Sequence, residues 1–215
     1  ENVALLRKLF EVSAASRTGK LSLVKALLAR LADLRVSVSH TTRPPRPGEQ
    51  HGVHYHFTGR DAFLQLVAEG GFIEHAEVFG NLYGTSQQAV ADQLAAGHDV
   101  LLEIDWQGAE QVRRLFPAAL SIFILPPDQQ ALRERLIGRA QDSEAVIATR
   151  LAGSLEEMRP YVHFDYLIIN DDFEVALHEL ESIVIAARLR LARQARRQQA
   201  VLQRLFNGPG PSADS

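Results

Sequence analysis

The chain has 215 residues, 46% of them hydrophobic, no cysteine, and a formal net charge of -3 from 23 basic and 26 acidic side chains. That composition suits one buried core with small inserted lobes, and the balance of charge excludes a whole-molecule attraction to nucleic acid or an anionic membrane, so any anion site must be local. Without cysteine there is neither a disulfide framework nor a thiolate metal site; the charged opening "ENVALLRKLFEV" is unlike a signal sequence and no apolar run approaches the ~20 residues of a membrane span, so a soluble, cytoplasmic protein is expected.

The first apolar run, "KLFEV" at 8–12, reads as a buried strand that carries one charge, Glu11. It leads into "SAASRTGKLS" at 13–22, where a Gly-Lys pair opens a helical pattern in the manner of a phosphate-binding loop, G-x-x-x-x-G-K-[ST]. Helical spacing continues through "KLSLVKALLARLADL" at 20–34, and "RVSVS" at 35–39 is the next strand. From about 37 to 95 the rhythm breaks: Pro44, Pro45, Pro47 and Gly48 precede alternating "VHYHF" and then "GNLYGTS", which predicts a separate small lobe. Strands return as "HDVLLEID" at 98–105, "LSIFIL" at 120–125 and "DYLIIN" at 165–170. Between the last two lie helical stretches, "DQQALRERLIGRA" and "SEAVIATRLAGSLEEM", of which the arginine-bearing part from 136 to 159 suits a mobile lid. Strands alternating with helices predict an α/β fold with a parallel sheet covered on both faces. Its core is assigned to 1–36, 96–135 and 160–207, and the tail from 208 to 215 has a disordered composition.

Chemistry concentrates in the small lobe, where Arg43 and Arg46 stand three residues apart beside a proline-stiffened turn. Two guanidinium forks on a rigid loop suit a terminal phosphate, and Tyr55 and Tyr83 add phenolic donors; ordinary surface charge is the plainer reading of such a pair in isolation. "VLLEIDWQG" ends a strand in Glu103 and Asp105, on one face at the C-terminal end, where open parallel sheets bind ligands. A helix cap or turn explains such acids as well.

In order and spacing, "VSVSHTTRPPRPGE", "GVHYHF", "FIEHAEVFGNLYGTS", "LLEIDWQGA", "RLIGRAQDS" and "DYLIINDD" resemble the guanylate kinase family, in its bacterial form, from Val36 to about Phe206. The resemblance implies a P-loop kinase-like sheet with an inserted GMP-binding lobe at 37–95 and a helical lid at 136–159. It also implies transfer of the ATP γ-phosphate to GMP, with Mg²⁺ entering alongside ATP. Guanine offers two N–H donors and an acceptor; Glu74 matches the carboxylate that takes the donors, Ser39 and Thr85 the hydroxyls, with Asp105 nearby. Arg43, Arg46, Tyr55 and Tyr83 match the residues that grip the GMP phosphate, and Glu49 orients the arginines. Lys20, Arg135, Arg139 and Arg150 match the cations around the transferred group, where phosphoryl transfer asks for charge neutralisation. The ATP loop runs Ala14, Ala15, Ser16, Arg17, Thr18, Gly19, Lys20, Leu21 and Ser22; Asn170 matches a position near the adenine, and Glu103 and Asp105 would meet Mg²⁺ through water.

The loop departs from the family's S-A-P-S-G-x-G-K-[ST]-S in Ala15 for proline, Arg17 for glycine and Leu21 for the hydroxyl that ordinarily ligates Mg²⁺. Ser22 lies ~100° further round the helix and does not replace it. Two readings therefore stand: a working kinase with a tolerated loop, favoured by Lys20 and the full guanine-reading set, and a catalytically impaired module that binds GMP or a phosphopeptide. His51, His54 and His56 lack further ligands at zinc spacing and are better placed lining the lobe. The stretch at 187–206, with Arg188, Arg190, Arg193, Arg196, Arg197 and Arg204, reads as a solvated helix whose leucines would serve self-association.

Overall fold

The computed structural model describes residues 9–15, 18–137 and 144–207. Strand β1 (Leu9–Ala14) runs into helix α1 (Lys20–Arg30), followed by β2 (Leu34–Val36). The inserted segment holds β3 (His40–Thr41), β4 (His56–Phe57), α2 (Arg60–Ala68), β5 (Phe72–Val78), β6 (Asn81–Ser86) and α3 (Gln87–Ala95). Next come β7 (Asp99–Glu103), α4 (Trp106–Leu115), β8 (Leu120–Leu125), α5 (Gln129–Ile137) and α6 (Glu144–Met158). A 3-10 turn at Arg159–His163 leads to β9 (Tyr166–Ile169), α7 (Phe173–Leu189), α8 (Leu191–Arg197) and α9 (Gln199–Asn207).

The five strands read from sequence pair as one parallel sheet in the order β2-β7-β1-β8-β9, which puts β1 at its centre. Alternation along the strands sorts side chains to two faces. Phe10, Val12, Leu101, Ile122 and Ile124 pack with Leu23, Val24 and Leu27 of α1 and with Leu177, Leu180 and Val184 of α7. On the other face Leu9, Val100 and Leu102 meet Val90 and Leu94 of α3 and Ala109 and Val112 of α4. Phe123 meets Leu132 and Leu136 of α5 and Met158 of α6. Both faces are thus covered, as apolar parallel strands require.

Two predicted elements are shorter in the structure. Helix α1 stops at Arg30, because Leu31 turns to extended backbone and Asp33 takes a left-handed φ of 64° that redirects the chain into β2. The strand expected at 35–39 pairs only as Leu34–Val36 before the chain leaves the main sheet.

It enters a second sheet, ordered β4-β3-β6-β5, whose longest pair is the β5–β6 hairpin. Phe79 and Gly80 both have positive φ at its tip, as a right-twisted two-residue turn demands. The lobe is fastened to the core through α4. Gln111 Nε2 donates to the His75 carbonyl at 2.7 Å, and the His75 N–H donates back to Gln111 Oε1 at 3.1 Å.

Candidate active site

The loop after β1 is held from three sides. Ser13 Oγ donates to the Ile104 carbonyl at 2.8 Å, and Lys20 Nζ donates to the same oxygen at 3.1 Å, so both ends of the loop are tied to the chain leaving β7. Gly19 has φ 93°, a conformation that side chains with a Cβ rarely adopt, and the Asn170 amide occupies the space where that Cβ would project. Asn170 Nδ2 donates to the Thr18 carbonyl at 2.7 Å, and Arg135 donates to Thr18 O at 3.3 Å and to Asn170 O at 2.9 Å. With the Thr18 carbonyl taken by two donors, the turn at Gly19 leads directly into the N-terminus of α1, and helix N-termini are where anions such as phosphate bind. Leu21 is 68% exposed and brings no donor atom to the loop.

Lys20 is half-buried among acids. Burial pushes its ammonium below the ordinary lysine value, against the upward pull of Glu103, Asp105, Glu74 and, from α6, Glu157. Burial also raises Glu103, which the Lys20 charge partly restrains. Asp105 performs the capping role that its position allowed: its Oδ1 accepts from the Gly108 N–H at 2.9 Å and starts α4.

Facing this loop, β5 and β6 bring Glu74 beside Thr85. Thr85 Oγ1 donates to Glu74 Oε1 at 2.5 Å, so the hydroxyl holds the carboxylate. Burial raises the Glu74 pKa to about 7, with the Thr85 bond opposing and the Asp105 charge reinforcing it. Ser39 is buried at the entry to β3, where its carbonyl accepts from the His56 N–H at 2.9 Å.

The arginine loop is organised by Glu49. Arg43 Nη2 donates to Glu49 Oε1 at 2.9 Å, and the Arg46 N–H donates to Glu49 Oε2 at 2.7 Å. Glu49 and Tyr83 hold the Arg43 guanidinium above its ordinary value. The same guanidinium lies 5.5 Å over the Tyr55 ring, and the Tyr55 and Tyr83 rings stand 6.0 Å apart. Arg46 is exposed on the same turn. The histidines meet differently from a metal cage: the His40 and His56 rings stack at 4.6 Å and His51 meets His56 edge-on at 5.5 Å.

Structure thus gathers Lys20, Glu103, Asp105, Glu74 and Thr85 in one place, with Arg43, Glu49, Tyr55 and Tyr83 forming a second group on the lobe. Arg150 is exposed on α6. Ser16, Arg17 and Arg139 lie outside the described residues, as does the tail from 208. Sequence reading passed over Ser13 and Gly108; a serine ending a buried strand and a glycine in the first turn of a helix were the available signals.

A parallel sheet whose central strand feeds a lysine-bearing loop, with a second sheet presenting acid, hydroxyl and arginine groups beside it, defines a P-loop kinase. The guanylate kinase family model matches residues 7–187. The guanylate kinase of Acinetobacter baylyi is 62% identical over 198 residues, 92% of this chain and 96% of that protein. That of Escherichia coli K12 is 55% identical over 200 residues, 92% and 97% of the two chains. The crystal structure of guanylate kinase from Anaplasma phagocytophilum superposes with a TM-score of 0.73 at 32% identity, covering 94% of this chain and 96% of that one. The chain belongs to the guanylate kinase family.

Proposed function

We infer that this chain is an ATP:GMP phosphotransferase, a nucleoside monophosphate kinase that gives GDP and ADP. The observation that carries the reading is the buried Glu74–Thr85 pair beside Lys20. It sets a carboxylate acceptor suited to guanine N–H donors next to the cation suited to a transferred phosphate. The relatives' shared name supports the same activity, and nothing among them supports an impaired binding module.

In this reading Glu74 takes the two guanine donors while Thr85 and Asp105 fix its surroundings, and Ser39 borders the base. Arg43, Arg46, Tyr55 and Tyr83 hold the GMP phosphate, with Glu49 setting the arginine geometry. Lys20, Arg135, Arg139 and Arg150 neutralise charge that spreads over the transferred group. The loop from Ala14 to Ser22 cradles the ATP phosphates, and Asn170 supports it from beneath. The core comprises 1–36, 96–135 and 160–207; the lobe at 37–95 closes over GMP and the segment at 136–159 closes over ATP. Water is thereby excluded as a competing acceptor. ATP enters as its Mg²⁺ complex, whose ion neutralises the phosphates; the Glu103 and Asp105 carboxylates around Lys20 are hard oxygen donors that fit its coordinated waters, and exposed Leu21 is no ligand.

A coupled assay for ADP formation from ATP, Mg²⁺ and GMP tests the reading, with AMP as the rival acceptor. Turnover with GMP at least ~100-fold more efficient than with AMP is expected, because AMP leaves the buried carboxylate unpaired. Saturable GMP binding without ADP formation would overturn it.

A further inference from the structure

Helix α4 starts unusually close to the base-reading carboxylate. Asp105 caps it through the Gly108 N–H, which places Gly108 in the first turn, buried and facing β5. A Cβ built on Gly108 would collide with Glu74 Oε2, and would lie 3.0 Å from its carboxyl carbon and 3.4 Å from its Cγ. The other oxygen, Oε1, accepts from Thr85. Glu74 is therefore held between a hydroxyl on β6 and bare backbone on α4, and the Gln111–His75 bonds one turn further along fix the separation of α4 from β5.

We propose that Gly108 is a positioning residue for guanine recognition: its missing Cβ gives Glu74 Oε2 its seat against the first turn of α4, and so sets the plane in which the carboxylate meets the base. The inference rests on reading Glu74 as the guanine acceptor. Glycine is otherwise the poorer choice at a helical position, costing roughly 0.5–1 kcal/mol against alanine. At Gly153 in α6 a Cβ would meet nothing within 4 Å, so alanine there measures the propensity gain alone.

The test is Gly108→Ala, assayed for KM and kcat and for thermal unfolding in both the parent and a Glu74→Ala background. In the parent, the KM for GMP should rise about tenfold or more, the cost of overpacking one methyl against a well-packed group. The KM for ATP should stay within about twofold. The contact itself is read by Tm, whether or not the variants turn over: Gly108→Ala should lower Tm in the parent and raise it in the Glu74→Ala background, as Gly153→Ala raises it. An equal Tm shift in both backgrounds, or an unchanged KM for GMP in Gly108→Ala, overturns the proposal while leaving the reading of Glu74 intact. An unchanged KM for GMP in Glu74→Ala overturns that reading, and the proposal with it.

Discussion

Glu11 sits in the central strand with 0% exposure, and neither carboxylate oxygen has a hydrogen-bond partner among the described residues. Burial lifts its pKa to about 8; Arg113 pulls it down, and Asp165 and Glu74 push it further up. An acid whose folded pKa exceeds its unfolded value stabilises the fold only while protonated, so its contribution is full at low pH and is lost as pH rises through about 8. Between the unfolded value near 4.5 and pH 7 the loss amounts to about 3 kcal/mol. Chemical denaturation from pH 5 to 8 should show that decline, and Glu11→Leu should make it shallower, leaving the share that Glu74 contributes, and be the more stable protein at pH 7. A parallel decline in the variant would contradict this account. Glu74 titrates near neutrality as well, with a second consequence, for binding. Only the ionised carboxylate accepts both guanine donors, so the KM for GMP should fall as pH rises from 6 to 8. Glu74→Gln should keep only the titration of the GMP phosphate, and identical pH profiles in the two proteins would refute the assignment.

At the scale of elements, the C-terminal helices are pinned to the sheet by one acid. Asp99, 1% exposed at the start of β7, accepts from Arg188 Nε of α7 at 2.7 Å and from Arg193 Nη2 of α8 at 2.7 and 2.9 Å. Removing the carboxylate takes the ion-pair partner from two largely buried guanidinium groups, leaving Arg188 its bond to the Ala32 carbonyl. Asp99→Ala should therefore cost about 3 kcal/mol in urea unfolding, and limited proteolysis should open first at α8. The phosphate loop is a second such junction: Asn170→Ala removes one of the two donors on Thr18 O and the amide packed on Gly19. A rise of about fivefold in the KM for ATP with the KM for GMP unchanged is expected, since one lost hydrogen bond is worth about 1 kcal/mol. These junctions were not legible in the sequence. Asp99 reads there as the polar start of a strand, and Asn170 is placed near the adenine by resemblance with no sign of a partner; only tertiary packing brings them to Arg193 and Thr18. The strands themselves were legible, because unbroken apolar runs such as "LSIFIL" have few other uses in an alternating α/β pattern. Two predicted ends failed where backbone geometry outweighs side-chain pattern, at Leu31 and after Val36. In the site, Arg43 with Glu49 could be read from six residues of spacing, whereas the Thr85 bond to Glu74 depends on hairpin register.

For the whole molecule, the acid-rich surroundings of Lys20 join the two nucleotide sites. Glu74 comes from the lobe, Glu103 and Asp105 from the end of the main sheet, and Glu157 from the helix next to the fifth. A ligand that reaches Lys20 meets groups from three segments at once, and gripping it favours their approach. Small-angle scattering should accordingly show the radius of gyration falling in two steps, on adding GMP and then an unhydrolysable ATP analogue; an unchanged radius with both bound would refute closure. The hold on Thr18 also fixes when the site comes into being. On the ribosome the phosphate loop is made before its supports: the donors for the Thr18 carbonyl stand at 135 and 170, which is 117 and 152 residues further along the chain. A nascent chain released before Asn170 carries the whole loop sequence with one of its donors missing. Under the proposed assignment the ATP half is complete only once Asn170 has been made, and a fragment that stops short of it should bind ATP more weakly although it displays the Gly-Lys pair.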